Sequence, residues 1–183
     1  MIVARMLPTV KTRKRPNMKT IAIISQQGGA GKTMVAIHLA VADEQRGMKT
    51  AMFDLDPQAS AASWADKRVN PSPTVVGTQA PRLPSPLEQA QSQSADLVII
   101  DSAPNADAAS LAAARAADLI LIPCRPASFD LNAIGTLNLA AVTGKIAYVV
   151  LNAVPPQGKV GEEARNALEA GGVAVAEPVL RCC

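Results

Sequence analysis

Short runs of apolar residues alternate along this chain with longer, alanine-rich stretches of helical character. The apolar runs lie at residues 21–24, 50–53, 97–100, 119–122 and 146–151. They are apolar throughout rather than alternating with polar residues, which is typical of strands covered on both faces. Strands separated by helices favour parallel pairing through right-handed crossovers. The sequence therefore predicts an α/β fold, a doubly wound, mostly parallel sheet with helices on both faces.

The predicted helices follow the strands. The first of them ends near residue 46, and the later ones span residues 60–68, 107–117 and 131–142. Gly47 is the expected stop of the first helix. Between residues 70 and 86 the chain is rich in proline and serine, and we expect mainly loop there with a short strand at Val75 and Val76.

The composition fits one folded domain preceded by a basic arm. The 183 residues include 49% hydrophobic and 18% charged residues, which excludes a disordered polyelectrolyte. Much of the net charge of +3 comes from basic residues near the start of the chain. We predict a flexible arm at residues 1–18, either merely solvated or in contact with phosphates, and a nucleotide-binding domain at 19–183.

Membrane and secretory signals are not expected. No stretch reaches the roughly 18 consecutive apolar residues of a membrane span, and the start lacks a signal peptide's apolar segment and cleavage site. Cys124, Cys182 and Cys183 are odd in number and poorly spaced for zinc or a disulfide framework. A cytoplasmic protein with no membrane partner is predicted.

A glycine-rich segment separates the first predicted strand from the first helix. It reads Gln26-Gln27-Gly28-Gly29-Ala30-Gly31-Lys32-Thr33. Glycines let successive N–H groups turn toward phosphate oxygens, and a helix N-terminus adds positive potential. In loops of this kind the lysine reaches the β and γ phosphates and the threonine ligates magnesium. The segment predicts ATP and Mg²⁺ binding, although Gln26 replaces a glycine of the standard pattern; an ordinary turn is the alternative.

Aspartates end two further predicted strands. Asp101 follows the apolar run 97–100, where one carboxylate can serve a metal directly or through water; a turn-forming role is the alternative. Asp54 and Asp56 lie two residues apart and can face the same side. One can orient water while the other supports the metal shell. The alternative is capping of the next helix, since Asp before proline is a common helix start.

Two other polar residues each have a functional and a structural interpretation. His38 is the only histidine, and a core or helix-face role is favoured over catalysis. Asn152 follows the run 146–151, where its amide is expected either to read an adenine edge or to form a turn.

Several separated motifs together resemble one family. The segments SQQGGAGKT, FDLDPQASAASW, ADLVIIDSAP, ADLILIPCRPASFDL and VVLNAVPP, in this order, resemble the ParA family of chromosome and plasmid partition ATPases. The resemblance spans residues 20–176. It implies the deviant Walker ATPase fold, an ATP-dependent sandwich homodimer, slow hydrolysis stimulated by a centromere-binding, ParB-like partner, and non-specific DNA binding, with nucleoid association.

The resemblance assigns roles by position. It places nucleotide contacts at Gly28, Gly29, Ala30, Gly31, Lys32, Thr33, Met34 and Asn152. Asp56 would position the hydrolytic water and act with Lys32 in catalysis. Thr33 and Asp101 would serve magnesium, and Asp54 would support the metal region.

The chain departs from the family pattern at three points. Gln27 stands where the family carries the signature lysine that reaches the partner's nucleotide, and a neutral amide cannot neutralise phosphate charge. Met34 replaces a second threonine. The chain stops at Cys183, before an expected strand connection and terminal helix. Truncation or a shifted reading frame would explain that ending, and an upstream start would explain the arm before Met18.

These departures leave more than one function open. The first hypothesis is a weak partition-type ATPase, and the second is a degenerate nucleotide-binding regulatory or interaction module with little hydrolysis. A small-molecule kinase or ligase lacks an evident acceptor site. An iron–sulfur reductase would need bridging cysteines, and a Min-type ATPase would need an amphipathic terminal helix.

Overall fold

The structure is a computed structural model that describes residues 18–104, 107–126, 130–177 and 179–181. Its strands are β1 (Lys19–Ile23), β2 (Thr50–Asp54), β3 (Thr74–Gly77), β4 (Leu97–Asp101), β5 (Leu119–Cys124) and β6 (Ile146–Leu151). Its helices are α1 (Lys32–Gln45), α2 (Ser60–Asp66), α3 (Pro84–Ser92), α4 (Asp107–Ala116), α5 (Asp130–Thr143) and α6 (Val160–Ala170). A short 3-10 helix, Ala80–Arg82, precedes α3. The predicted arm at residues 1–17 lies outside the described residues.

The strands form one six-stranded sheet in the order β3-β2-β4-β1-β5-β6, with every neighbouring pair parallel. The predicted doubly wound α/β fold is therefore confirmed. Asp101 pairs in register with Ile23 on one side and with Asp54 on the other. This register brings the carboxyl ends of β1, β2 and β4 to one edge, where open α/β sheets bind ligands.

Helices cover both faces of the sheet. On one face, α1 and α2 pack on Ile23, Met52 and Ile99. On the other face, α3, α4, α5 and α6 contribute buried residues to a larger cluster that includes Phe53 and Ile100. Neighbouring residues of a strand point to opposite faces, so the unbroken apolar runs fill both clusters. The apolar runs thus follow directly from a sheet buried on both sides.

Two helices were missed by the sequence analysis. The Pro/Ser-rich stretch 70–86 contains β3, as expected, but α3 begins within it at Pro84. Proline suits the first helical turn because the N–H that it lacks would have no partner inside the helix. Buried Leu83 and Ala90 anchor this segment in the core. The second missed helix is α6, whose Ala164 and Leu168 are buried.

The segment after α6 runs along the outer edge of β6. Parallel bridges join Val149 to Val175 and Val154 to Arg181. On α6, Arg165 forms ion pairs with Glu169 and Glu177. The segment pairs with part of the backbone edge that β6 would otherwise expose.

Within the described ranges, no helix is long and apolar enough to cross a membrane.

Candidate functional site

The glycine-rich loop joins β1 to α1 at the carboxyl edge of the sheet. Gly29 and Gly31 have φ angles of 73° and 88°, in the left-handed region that glycine adopts without strain. Gly31 immediately precedes α1, and no side chain of the described residues caps that helix. The first N–H groups of a helix have no partner inside it. This helix start therefore offers free donors to an anion.

Lys32 is enclosed by the loop that precedes it. Its side chain is buried, and its Nζ donates a hydrogen bond to the Gln27 carbonyl oxygen at 3.1 Å. Burial lowers the pKa of Lys32 from its ordinary value, while the charges of Asp101 and Asp56 oppose that shift. The buried ammonium group of Lys32 therefore lies at the position where the sequence predicts a contact with phosphate.

Asp101 is a buried carboxylate without a hydrogen-bond partner. Its residue is fully buried, and neither carboxylate oxygen has a partner among the described residues. Burial raises the pKa of Asp101 to about 7; the nearby Thr33 hydroxyl and the Lys32 charge lower it, and the Asp54 charge raises it. An unpaired buried carboxylate is costly unless a cation or a donor joins it.

This donor set fits a magnesium ion bound together with phosphates. Magnesium is commonly held by one or two carboxylates, several waters and the phosphates of the substrate. The orphaned oxygens of Asp101 and the nearby Thr33 hydroxyl offer such a set. Among the described residues, no group of three or more His, Cys, Asp or Glu side chains could hold a metal by itself.

Asp54 and Asp56 have different surroundings although they are two residues apart. The buried Asp54 carboxylate accepts from the Asp56 N–H at 3.0 Å, and from the Ala61 and Ala62 N–H groups at 3.0 and 3.3 Å. Asp54 thereby caps α2, whereas the capping alternative of the sequence analysis rested on the aspartate before proline, which is Asp56. The metal role of Asp54 stays a prediction. Asp56 is half-buried and accepts from the Gln58 N–H at 2.9 Å.

Asn152 contacts the phosphate loop directly. Its Nδ2 donates to the Ala30 carbonyl oxygen at 2.9 Å, and a Cβ at Gly31 would overlap the same amide nitrogen. Its backbone N–H donates to the Cys124 carbonyl oxygen. Asn152 therefore braces the loop from the end of β6, while its contact with adenine stays a prediction.

The remaining singled-out residues lie at the surface of this edge or away from it. Gln27 is half-buried, and within the described residues its side chain forms no hydrogen bond. Met34 is 55% exposed on the first turn of α1. His38 is exposed further along the same helix, which agrees with a helix-face position.

Sequence reasoning missed two buried serines that support the site. Ser25 Oγ accepts the Gln27 N–H at 3.3 Å, and Ser102 Oγ donates to the Ile23 carbonyl oxygen at 3.0 Å. Both are small polar residues at or next to the end of a buried strand, and that position is the sequence feature by which they could have been found. They fix the backbone where β1 and β4 end.

The comparisons with known proteins agree with this geometry. The family model described as CobQ/CobB/MinD/ParA nucleotide binding domain matches residues 21–182. The maintenance of carboxysome distribution protein A of Gloeobacter kilaueensis is 33% identical over 169 residues, covering 89% of this chain and 76% of that protein. Protein ParA of Rhizobium radiobacter is 30% identical over 175 residues, covering 89% and 78%.

A solved structure supports the fold. The cobyrinic acid a,c-diamide synthase of Mycobacterium smegmatis, with bound ATP analogue and magnesium, aligns with a TM-score of 0.75. It is 15% identical, and the alignment covers 90% of this chain and 87% of that one, so the likeness concerns the fold alone. From the family match, the chain belongs to the CobQ/CobB/MinD/ParA family of nucleotide-binding domains. The predicted resemblance to ParA is confirmed.

Proposed function

We propose that the loop between β1 and α1 binds ATP together with Mg²⁺. The observation that carries the proposal is the meeting of two buried charges, Lys32 and Asp101, at a helix start that no described side chain caps. The loop N–H groups would hold phosphate oxygens, and Lys32 would exchange its bond to the Gln27 carbonyl for the β and γ phosphates.

Thr33 and Asp101 are the residues that would hold magnesium. When bound, the ion supplies positive charge that offsets the charge of the phosphates. The chain's part is to present one hydroxyl and one carboxylate beside the loop. A calorimetric titration with ATP, in excess Mg²⁺ and then in excess EDTA, tests this assignment. Tighter binding with Mg²⁺ is expected for the wild type and a smaller gain for Thr33→Ala, whereas equal affinity in both buffers would refute the magnesium site.

Asp56 is the proposed positioning residue for a hydrolytic water. It is half-buried at the same edge, and its charge acts on both Lys32 and Asp101. Unlike Asp54, it accepts a single hydrogen bond among the described residues, which leaves lone pairs for water. The proposed activity is slow hydrolysis of ATP to ADP and phosphate.

We further propose that ATP drives formation of a homodimer that binds DNA without sequence preference. The similarity to Protein ParA supports this mode of action. The exposed Met34 side chain and the free Gln27 amide lie at the nucleotide edge, where an apposed subunit would cover them. Partition of a plasmid or chromosome with a ParB-like partner, in the cytoplasm and at the nucleoid, is the proposed setting.

Sedimentation with ATP, with ADP and without nucleotide, run beside phosphate release, tests the switch. The proposal expects a larger species with ATP and measurable turnover. A second candidate, a nucleotide-binding module without turnover, is favoured by the neutral side chain of Gln27. A monomer in all three conditions that releases no phosphate would support that candidate and contradict the first.

DNA binding would rest on lysine and arginine contacts to phosphates, so it should weaken steeply with salt. Deleting residues 1–17 removes Arg5, Lys11, Arg13, Lys14 and Arg15. We expect a shallower dependence of affinity on salt in an anisotropy titration. An unchanged slope would exclude the arm from DNA binding.

A further inference from the structure

We propose that Gln26 is a positioning residue of the phosphate loop, seated against Gly135 on α5. The proposal rests on the nucleotide-binding function above and adds a pair of residues to that site. A Cβ built on Gly135 would lie 2.8 Å from both the Cδ and Nε2 atoms of Gln26 and would also overlap its Oε1. The amide of Gln26 therefore occupies the space that a side chain at position 135 would fill.

Packing, rather than backbone conformation, explains why glycine stands at position 135 of α5. Gly135 lies inside the helix Asp130–Thr143, where glycine is among the poorest helix formers. It does not adopt a positive φ, so its backbone does not require glycine. What remains is its size, since the three nearest atoms that a Cβ would meet all belong to Gln26. The missing side chain on α5 and the long one on the loop are complementary.

The loop residue is also the one that departs from the standard phosphate-loop pattern. That pattern has glycine at position 26, which leaves no side chain to accommodate. Here the glutamine side chain is half-buried. Its contact with α5 fixes the first residue of the loop, just after Ser25 and the end of β1.

The far end of the loop is held separately. Asn152 Nδ2 donates to the Ala30 carbonyl oxygen and closely approaches Gly31. With Gln26 seated on α5 and Ala30 held from β6, residues 27–29 span two fixed points. Their N–H groups are then ordered before a phosphate arrives, which reduces the ordering cost of binding.

A double-mutant cycle tests the pair. Gly135→Ala would displace the Gln26 amide, which is the flexible end of a side chain, without distorting the helix. In the ligand-free protein we expect hydrogen exchange of the N–H groups at 27–31 to rise about fivefold, with no loss of thermal stability because alanine favours the helix. ATP affinity should fall on the order of fivefold.

In a Gln26→Ala background, the same Gly135→Ala change should alter loop exchange less than about twofold, because no amide remains to be displaced. Gln26→Ala alone should itself raise loop exchange. Asn138→Ala is the matched control, since Asn138 is exposed on the same helix; it should leave the loop unchanged.

Two results would refute the proposed contact between Gln26 and Gly135. In the first, Gly135→Ala does not change hydrogen exchange of the loop; in the second, it changes exchange equally with Gln26 and with alanine at position 26. Loop exchange is measured without nucleotide, so it separates the two proposals. If the coupling appears but ATP does not bind, the pair stands and the nucleotide-binding function fails.

Discussion

Two loops of this molecule each join a strand to the helix that follows it. They differ in whether a side chain already accepts hydrogen bonds from the first N–H groups of that helix. The β1–α1 loop and the β2–α2 loop each end on a left-handed residue before the helix, Gly31 with φ 88° and Ala59 with φ 49°. In the second loop, the Asp54 carboxylate occupies the first N–H groups of α2. In the first, no described side chain does so.

Whether the first N–H groups of the helix already have an acceptor decides where an anion can bind. A carboxylate that already caps a helix satisfies the donors that a phosphate would use and adds repulsive charge. The β2–α2 loop is therefore closed, and the β1–α1 loop is open with Lys32 beside it. The charge of Asp56, in the closed loop, acts on both Lys32 and Asp101 beside the open one. We propose that Asp56 acts there on water rather than on phosphate.

The largest expected effect comes from Asp56→Ala, which tests this division of labour. Turnover should fall by about 10²- to 10⁴-fold, the usual range for a lost general-base contact, while ATP affinity changes little. Phosphate release and calorimetry on the same preparations measure the two quantities. Gln58→Ala, an exposed change in the same loop, is the control. Loss of ATP affinity with normal turnover per bound nucleotide would assign Asp56 to phosphate binding instead.

Asp54→Ala tests whether the second loop is closed by its carboxylate. Three backbone N–H groups lose their acceptor, so the free energy of unfolding should fall by about 3 kcal/mol in urea titrations. Asp54→Asn keeps one acceptor oxygen and should lose less. If stability were unchanged and only the Mg²⁺ dependence of ATP binding altered, Asp54 would be a metal residue rather than a cap.

Asp101→Asn should stabilise the ligand-free protein at pH 8 by about 1–3 kcal/mol, because it removes a buried charge without a described partner. The folded-state pKa of about 7 exceeds the ordinary 3.8, so the folded state holds the proton more tightly. Wild-type stability should therefore fall as pH rises from about 4 to 7, and Asp101→Asn should remove that fall.

Urea titrations across this pH range, without nucleotide, measure the effect. Asp66→Asn, at an exposed aspartate of α2, is the control. In thermal unfolding, Mg²⁺ with ATP should stabilise the wild type more than Asp101→Asn. An equal gain in both proteins would remove Asp101 from the magnesium site.

The smallest expected effect is that of Gln27→Lys in the open loop. A lysine there would place a cation against the nucleotide of an apposed subunit, where a charged contact is about twice as strong as a neutral one. Dimerisation with a slowly hydrolysed ATP analogue should tighten, and phosphate release should rise. Gln27→Met serves as the neutral control. If neither sedimentation nor phosphate release shows a gain, the proposed sandwich dimer does not apply to this chain.

The sequence predicted those elements of the fold whose apolar pattern follows directly from burial. The five apolar runs became β1, β2, β4, β5 and β6 because a sheet covered on both faces requires unbroken apolar strands. α3 and α6 were missed because their burial rests on few residues, such as Ala90 and Leu168. Such short apolar contacts are decided by tertiary packing and leave a weak periodic signal.

The positions of the candidate site residues could be predicted from the sequence, but their contacts could be predicted less well. The loop residues, Lys32 and Asp101 meet at one edge, as strand-end positions predict. That Asp54 caps α2 and Asn152 braces Ala30 depends on distances between separate segments, which spacing alone does not contain. The contact between the Gln26 side chain and Gly135 likewise joins residues that are far apart in the chain.

In the function that we propose, the open loop binds the phosphates of ATP through Lys32. Calorimetric titration of the wild type and of Lys32→Ala with ATP and Mg²⁺ tests it most directly, with Lys67→Ala as an exposed-lysine control. We expect saturable binding by the wild type and the control, and a loss of about 100-fold in Lys32→Ala because a charge-assisted contact is removed. Equal ATP affinity in all three proteins would show that Lys32 does not contact the phosphates of ATP.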